Sequence, residues 1–323
     1  MIKVLEPGLQ TTVQDSGRIG YYEIGMPPSG AMDKYSFSIA NLLVGNAEDA
    51  AALEATYMGP KLEFQTDTVI AITGAEIPPK INGVKVSQWE AIHVLAGDIL
   101  SFDFVKQGAR VYVAVAGGIN VPVVLGSRST YTLCGIGGYA GRALQAGDVL
   151  YVGENQQHDV KPGTRIPADL IPEFPKYQEI RVVMGLCSYR FTEDSKQKFL
   201  SIDWSVTPEA NRVGYRFKGE RLDFVPREQP FGAGSNPSNV VDLGYPIGSI
   251  QVPDGAEPIA LLNDAVTGGG YATIATIISA DLSRMAQIKT NEKVRFVSVS
   301  IEEALAARID LQNKIQQCKI AVM

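Results

Sequence analysis

The chain has 323 residues, a length that favours two domains, each large enough to bury its own core. Its 29 basic and 35 acidic residues give a net charge of -6, and no dense run of lysine or arginine indicates nucleic-acid binding. With no signal-peptide pattern and no long apolar window, the sequence predicts a cytoplasmic protein without membrane contact. Cys134, Cys187 and Cys318 are far apart, so we expect buried free thiols rather than disulfides or a metal site.

The first helix is predicted to begin after Asp33, a suitable N-cap, and to end near Gly45, which can adopt a left-handed C-terminal cap. Between them Ile39, Leu42 and Leu43 form one apolar stripe at helical spacing. This is the one helix that the first half of the sequence indicates.

Short β-branched runs separated by glycine and proline dominate the rest of the chain. Residues 68–73 and 110–115 are typical strands. A turn followed by an alternating strand recurs over residues 95–102, 145–152 and, with different turn residues, 290–297. Repeated turn-and-strand units are what small closed barrels need, so the sequence predicts an all-β fold with minor α content.

Two more helices are predicted, one after Thr192 and one after Ser300, where Glu303 completes a capping box. The segment between the halves is rich in proline and is interpreted as a linker. The predicted division is an N-terminal barrel domain over residues 1–160, a linker over 161–179, a C-terminal barrel domain over 180–300 and a helical arm over 301–323.

Several catalytic motifs fail. Residues 135–140 match a loose dinucleotide pattern, but the next segment is too short for the helix that this motif requires, and no P-loop sequence occurs. His93 and His158 are the only histidines, which makes a Ser-His-Asp triad or a multi-histidine metal site improbable. Residues 31–34 lack the Met-Lys-Met core of a biotin attachment site. We predict no resident metal.

Two glycine-rich clusters in the first half carry polar side chains suited to a small ligand. In the first cluster, residues 11–33, Arg18 is suited to clamp an anion and Asp15 to orient it or to hold a metal, although an Asp15–Arg18 pair that closes a turn is equally compatible. The second cluster, residues 116–131, sets Arg128 among hydroxyl side chains, which suits an oxyanion as well as a hydrogen-bonded barrel corner. The candidate binding residues here are Gln14, Ser29 and Ser127.

Two further clusters lie in the second half. Residues 211–216 contain Arg212 and Arg216, of which Arg216 is expected on a solvated face. Residues 248–271 contain three consecutive glycines beside Asp264, which makes this cluster the strongest site candidate. Its candidate binding residues are Gln251, Thr267, Gly268, Gly269, Gly270 and Tyr271.

Together these clusters resemble a known family, the C subunit of bacterial 5-oxoprolinase, also called allophanate hydrolase subunit 2, and the related carboxyltransferase domain of urea carboxylase. The resemblance covers nearly the whole chain and implies a tandem of cyclophilin-like β-barrels. It also implies heteromeric partners, the B and A subunits of 5-oxoprolinase. The motifs that carry it are residues 11–15, 29–33, 126–131, 250–253, 269–271 and 280–282.

The sequence departs from the family pattern at two places. Gly185-Leu186-Cys187 stands where the family usually has Gly-Pro-Gln, and residues 266–270, beginning with Val266, stand where it usually has Gln-Thr-Thr-Gly-Gly. Both changes remove amide side chains that are suited to holding a substrate.

The resemblance implies ATP-dependent opening of the lactam of 5-oxoproline to L-glutamate, with ATP and Mg²⁺ bound in the complex and no activity expected from the chain alone. Such chemistry needs cations for phosphoryl oxygens, a carboxylate for Mg²⁺ and fixed N–H donors for developing charge. The expected catalytic candidates are Arg18 and Arg128 for the first task and Asp264 or Asp15 for the second. The backbone of residues 268–270 is expected to perform the third.

Two alternatives stay open. In one, the chain is a biotin-dependent carboxyltransferase that acts on a urea-like amide and stacks Tyr271 on the biotin ring. In the other, it is a non-catalytic regulatory binder of a kinase inhibitor that resembles the B subunit of 5-oxoprolinase. Loss of turnover with avidin distinguishes the first alternative, and ATP-coupled glutamate release excludes the second.

Overall fold

The computed structural model describes residues 1–154, 160–161, 163–229 and 231–322, so the predicted linker proline Pro162 and His158 lie outside the described residues. The chain divides into two compact units. The first unit comprises residues 1–18, 29–174 and 311–323, and the second comprises residues 19–28 and 175–310. No helix in the described part is long and apolar enough to cross a membrane.

Strands form most of the regular secondary structure of the first unit. Strands β1, β4, β6, β7, β9, β11 and β12 form a seven-stranded sheet, in the order β11-β12-β1-β4-β9-β6-β7, and the others form a five-stranded sheet, β2-β3-β10-β5-β8. The strand bounds are β1 Ile2–Glu6, β2 Gln10–Gln14, β3 Ala52–Thr56, β4 Lys61–Phe64, β5 Thr68–Glu76, β6 Pro79–Ile81, β7 Val84–Lys85, β8 Ala91–Val94, β9 Ile99–Phe102, β10 Gln107–Val115, β11 Ile119–Asn120 and β12 Val149–Val152.

The core of the first unit contains side chains from both sheets. Val4 and Phe64 come from the seven-stranded sheet, and Leu53, Ile72 and Val113 come from the five-stranded sheet. All five are fully buried, as expected where alternate residues of a strand point to the interior.

Helix α1, Lys34–Leu43, packs against β5 and β10. It begins as predicted, because the carboxylate of Asp33 accepts a hydrogen bond from the backbone N–H of Ser36 at 3.0 Å. Gly45 follows it with a φ of 73°, the left-handed conformation that glycine favours. The predicted helix is therefore confirmed.

The second unit contains a closed seven-stranded barrel, in the order β13-β20-β17-β18-β15-β14-β21, and a two-stranded ribbon of β16 and β19. Its barrel interior includes Phe217 and Phe296, whose rings pack edge to face with their centroids 5.3 Å apart. The strand bounds are β13 Tyr177–Met184, β14 Trp204–Ala210, β15 Gly214–Lys218, β16 Asn239–Gly244, β17 Ser249–Gln251, β18 Ile259–Leu261, β19 Gly268–Tyr271, β20 Thr273–Ile277 and β21 Lys293–Ser298.

In the described part of the second half, three α-helices follow: α2 Glu193–Ser201, α3 Leu282–Ala286 and α4 Ile301–Val322. The capping box predicted at α4 is present, since Ser300 N donates to Glu303 at 2.7 Å and Glu303 N donates to Ser300 Oγ at 3.1 Å. Residues 311–323 group with the first unit and residues 19–28 with the second, which differs from the predicted bounds. The all-β prediction with minor helical content is confirmed.

Candidate functional site

Asp15 organises a polar loop of the first unit, residues 126–131, which we call the arginine loop. Its Oδ1 accepts hydrogen bonds from Gly17 N at 2.8 Å, from Ser127 Oγ at 2.7 Å and from Ser129 Oγ. Its Oδ2 accepts one from the backbone N–H of Arg128. Both carboxylate oxygens of this buried side chain are therefore engaged in fixing the loop.

The two arginines predicted to bind an anion lie in different surroundings. Arg18 is 1% exposed, and its Nη2 donates to the carbonyl oxygen of Ser129 at 2.7 Å, so it supports the arginine loop from inside the unit. Arg128 is half-buried, and its Nε donates to the carbonyl of Val121 at 3.1 Å. The terminal nitrogens of Arg128 donate to no other described residue. Arg128 is therefore the better placed of the two to meet a ligand.

Gln14 lies at the end of β2 and is fully buried. Its Nε2 donates to Thr12 Oγ1 at 2.9 Å and to the carbonyl of Thr130 at 3.2 Å. Because a carbonyl only accepts, this contact fixes which end of the amide faces Thr130. The Oε1 atom accepts no hydrogen bond from the described residues, so it is left to pair with a water or a ligand N–H.

The segment that contains Ser29 is held by a buried carboxylate that the sequence analysis did not single out. Glu54 Oε2 accepts from Met32 N at 2.9 Å and from the hydroxyl of Tyr112 at 2.8 Å, and that hydroxyl accepts from Asp33 N at 2.8 Å. Burial, reinforced by the Glu54 charge, raises the pKa of Tyr112 well above its ordinary value, so the phenol stays protonated. A charged residue inside an apolar strand was the signal for this network.

In the second unit, Asp264 and Arg212 form a buried ion pair. Arg212 Nε donates to Asp264 Oδ2 at 2.8 Å and Nη2 donates to Oδ1 at 3.1 Å, while the two side chains are 5% and 2% exposed respectively. This contact joins residues 211–216 and residues 248–271, which are separate clusters in the sequence. Because both Asp264 oxygens face the guanidinium, the expected role of Asp264 as a magnesium ligand does not fit this geometry.

The three consecutive glycines form part of β19 and pair with β16, with Leu243 opposite Gly269. A Cβ atom at Gly269 would lie 2.8 Å from the ring of Tyr245. The Tyr245 hydroxyl donates to the carbonyl of Tyr271 at 2.8 Å and accepts from the backbone N–H of Tyr271 at 2.7 Å. Gly269 therefore allows the ring of Tyr245 to lie close to the strand, and Gly268 and Gly270 lie in the same strand. The sequence had instead led us to expect that the three glycines expose their backbone N–H groups to a ligand.

The remaining candidates of the second unit lie on partly open surface. Gln251 is half-buried in β17, and Thr267 accepts a hydrogen bond from Tyr245 N through its carbonyl at 2.8 Å. Tyr271 is 40% exposed, so part of its ring is available to a ligand. Among the described residues no group of three His, Cys, Asp or Glu side chains is arranged to hold a metal ion.

The cysteines are free, but the expectation that all three are buried is wrong for Cys134, which is exposed in a turn. Burial raises the pKa of the Cys318 thiol. Cys187 is buried as well.

The family model for the carboxyltransferase domain, subdomain A and B, matches residues 24–298. The chain belongs to this carboxyltransferase-domain family. The C subunit of the Escherichia coli 5-oxoprolinase is 38% identical over 317 residues, which are 98% of this chain and 97% of that protein. The urea amidolyase of Saccharomyces cerevisiae is 37% identical over 311 residues, 94% of this chain.

The solved structure of the K. lactis urea amidolyase superposes on this carboxyltransferase-domain chain with a TM-score of 0.93 at 37% identity, over 98% of this chain. The chain spans 20% of that structure and 17% of the Saccharomyces urea amidolyase. The resemblance inferred from the sequence motifs is confirmed.

The first departure from the family pattern lies at the surface of the second unit. Leu186 is 87% exposed, whereas Cys187 is 7% exposed and precedes the short 3-10 helix Ser188–Arg190. In the second departure, Val266 is 57% exposed. Leu186 and Val266 thus place apolar side chains on the surface of the second unit.

Proposed function

We propose that the chain acts as one subunit of an ATP-dependent 5-oxoprolinase, which activates the lactam of 5-oxoproline for hydrolysis to L-glutamate together with the B and A subunits. The observation that carries this choice is the alignment with the C subunit of the Escherichia coli 5-oxoprolinase, which covers 98% of this chain and 97% of that protein. The family model supports the fold but does not select this substrate.

The chemistry explains why the reaction needs fixed cations. Resonance strengthens the C–N bond of a lactam, and transfer of the terminal phosphoryl group of ATP to the carbonyl oxygen, which releases ADP, makes the carbonyl carbon electrophilic. Water then attacks that carbon and the C–N bond breaks to give an acyl phosphate, which a second water hydrolyses to glutamate and phosphate. Arg128 suits the charge that develops on the transferred oxygens, because Asp15 fixes its backbone while its terminal nitrogens are available. Asp15 and Arg18 are then positioning residues.

We assign no magnesium ligand to this chain. Asp264 is saturated by Arg212, and Asp15 is saturated by the arginine loop. We infer that ATP and its metal are bound by the partner subunits, in line with the absence of a P-loop sequence.

The test is reconstitution of the chain with the B and A subunits, followed by parallel measurement of glutamate release from 5-oxoproline and of ATP loss. Arg128→Ala is expected to lower coupled glutamate release by about 10²-fold, the usual effect of removing one oxyanion donor, while the complex still assembles. Arg165→Ala, which removes an exposed arginine of the same unit, is the matched control and should retain full activity.

Unchanged ATP-coupled glutamate release in Arg128→Ala would refute the proposed role of this arginine. A complex that assembles but releases no glutamate with the unaltered chain would refute the proposed function and favour a regulatory role.

A second candidate is carboxyl transfer from carboxybiotin on another chain to a urea-like amide, which the description of the family model favours. Tyr271 offers a partly exposed ring that is suited to stack on biotin. In this case avidin would abolish turnover and Tyr271→Ala would raise KM for the carboxybiotin carrier, whereas 5-oxoprolinase activity would be insensitive to avidin.

A further inference from the structure

Arg128 directly follows a two-residue turn whose tip carries an exposed leucine. Val124 N donates to the carbonyl of Ser127 at 2.8 Å, and Ser127 N donates to the carbonyl of Val124 at 3.2 Å. Leu125 and Gly126 form the turn between them, with φ angles of 51° and 72°, both positive as a type I′ turn requires. Such turns favour asparagine at the first of these positions, because a bulky side chain in the left-handed region is strained. Backbone strain of this kind is characteristic of functional positions.

A second exposed leucine follows Arg128 in the chain. Tyr131 and Ile136 exchange backbone hydrogen bonds at 2.8 and 3.1 Å, and Leu133 lies in the turn between them. Leu125 is 39% exposed and Leu133 is 66% exposed. Five residues separate Leu133 from Arg128, a span of at most about 18 Å. A standard protein interface covers about 800 Å² on each partner and is wider than that span, so one footprint includes both leucines and the arginine.

Exposed apolar side chains around a cation are typical of a protein interface. The terminal nitrogens of Arg128 donate to no other residue in the described ranges, while Asp15 fixes its backbone N–H. A guanidinium at an open surface stabilises a developing negative charge only weakly, because water screens it. A partner that covers the two leucines would exclude this water and strengthen the electrostatic effect of Arg128.

We propose that the face formed by Leu125, Arg128 and Leu133 docks onto the subunit that binds ATP, so that Arg128 reaches the transferring phosphoryl group from the neighbouring chain. The inference rests on the function proposed above and deepens it. This chain has no P-loop sequence, and both carboxylates that were candidates for Mg²⁺ are saturated.

Charge complementarity selects this partner. Bound ATP is an anion, and Arg128 is a cation that forms no salt bridge within the described part of the chain. In the transfer step, the bond from the terminal phosphorus to ADP breaks and a bond to the lactam carbonyl oxygen forms. The charged oxygens of the phosphoryl group in transit are the atoms that Arg128 contacts, as an arginine supplied by a neighbouring chain does in other phosphoryl transfers.

Association of the purified subunits measures the docking. The chain is immobilised and titrated with the B and A subunits separately, and equilibrium dialysis identifies which of them binds ATP. Leu133→Glu is expected to weaken association with the ATP-binding subunit by about tenfold or more, because a charge replaces an apolar contact. Leu9→Glu is the matched control and should leave association unchanged, since Leu9 is 67% exposed elsewhere in the same unit.

Leu125→Asn separates docking from stability. Asparagine suits the left-handed conformation better than leucine, so the thermal stability of the chain should be unchanged or higher. Association with the ATP-binding subunit should nevertheless weaken by about tenfold, because the apolar contact is lost. A leucine with a purely structural role would not combine these two effects.

ADP with aluminium fluoride, which imitates the transferring phosphoryl group, tests the reach of Arg128. Because linkage between binding events is reciprocal, a nucleotide that both chains contact should tighten their association by about tenfold. Arg128→Ala should lose this tightening, whereas Arg165→Ala, the variant of an exposed arginine in the same unit, should keep it.

Unchanged association in both leucine variants would overturn the inference, as would weakening that affects only the subunit that does not bind ATP. Binding of ATP to this chain alone, or to neither partner alone, would also overturn it, and so would equal association with and without the nucleotide analogue. Glutamate release by a complex whose association is insensitive to both leucine variants refutes this inference only. Docking through this face without glutamate release refutes the proposed function only.

Discussion

Two arginines of the second unit are buried to almost the same extent but differ in their partners. Arg212 is 5% exposed and meets both oxygens of Asp264, whereas Arg190 is 2% exposed and meets an amide oxygen and a backbone carbonyl. The first charge is neutralised within the chain, and the second is not. The two buried arginines therefore differ in their counter-ion rather than in their burial, and we expect their removal to change the stability of the second unit in opposite directions.

The largest expected effect on stability comes from removing the arginine of the neutralised pair, Arg212. Arg212→Met leaves the Asp264 carboxylate buried without a cation, which should lower the free energy of unfolding of the second unit by about 3–5 kcal/mol. Urea unfolding followed by the fluorescence of Trp204, in a Trp89→Phe background, measures it, since Trp204 is then the remaining tryptophan.

The double variant Arg212→Met with Asp264→Leu is the control, because it removes both charges and should regain most of the lost stability. A single variant that loses less than about 1 kcal/mol would show that the pair is not the stabilising contact.

The first unit contains a buried carboxylate, Asp15, whose hydrogen-bond donors are neutral, as the partners of Arg190 are neutral in the second unit. Asp15→Asn places an amide where the backbone N–H of Arg128 donates, which should cost about 1–3 kcal/mol locally. Hydrogen exchange of a peptide covering residues 126–131 is expected to accelerate by about tenfold or more.

Asp67→Asn is the matched control, because Asp67 accepts a single exposed hydrogen bond from Ala96 N. Unchanged exchange in Asp15→Asn would mean that the arginine loop is held by other contacts.

The sequence predicted the fold well because its signals are local. The cap at Asp33, the capping box at Ser300 and the turns before β9 and β12 each depend on residues within one or two turns of chain. Such features are written in short windows, and the structure confirms them.

The site was harder to predict because its contacts join distant positions. Asp264 meets Arg212 across 52 residues, and Asp15 meets Ser127 across 112. Sequence reasoning selected Asp264, Asp15 and Arg128 by residue type but could not know that both carboxylates are saturated. Arg190 was not singled out, since an arginine without a counter-ion is recognised only once its neighbours in space are known.

Removal of Arg190, the arginine without a counter-ion, is expected to have a smaller effect on stability and one of opposite sign. Arg190→Met removes a buried charge that lacks a counter-ion, so the ligand-free second unit should gain about 1 kcal/mol in free energy of unfolding. The Trp204 fluorescence assay in the Trp89→Phe background measures this as well. A loss of stability comparable to that of Arg212→Met would show that Arg190 stabilises the barrel, and Arg295→Met serves as the reference for loss of a half-exposed ion pair.

The smallest effect concerns a more exposed pair, in which Arg142 Nη1 lies 2.8 Å from Asp148 Oδ2 in the first unit. The hydrogen bond from Arg142, followed by that from Gln145 N, lowers the pKa of Asp148 below its ordinary value of 3.8. A lowered pKa in the folded state means that the contribution is fully present above 3.8 and is lost as the pH falls through the folded value.

The stability difference between the unaltered chain and Asp148→Asn should therefore be constant from about pH 5 to 7 and should shrink below about pH 4. Salt should weaken it further, because water and ions reach Arg142, which is 35% exposed. A stability difference that persists at low pH and high salt would show that the Arg142–Asp148 pair contributes to stability in the same way as the buried ion pair of Arg212. Solvent access would then no longer explain why the two pairs contribute differently.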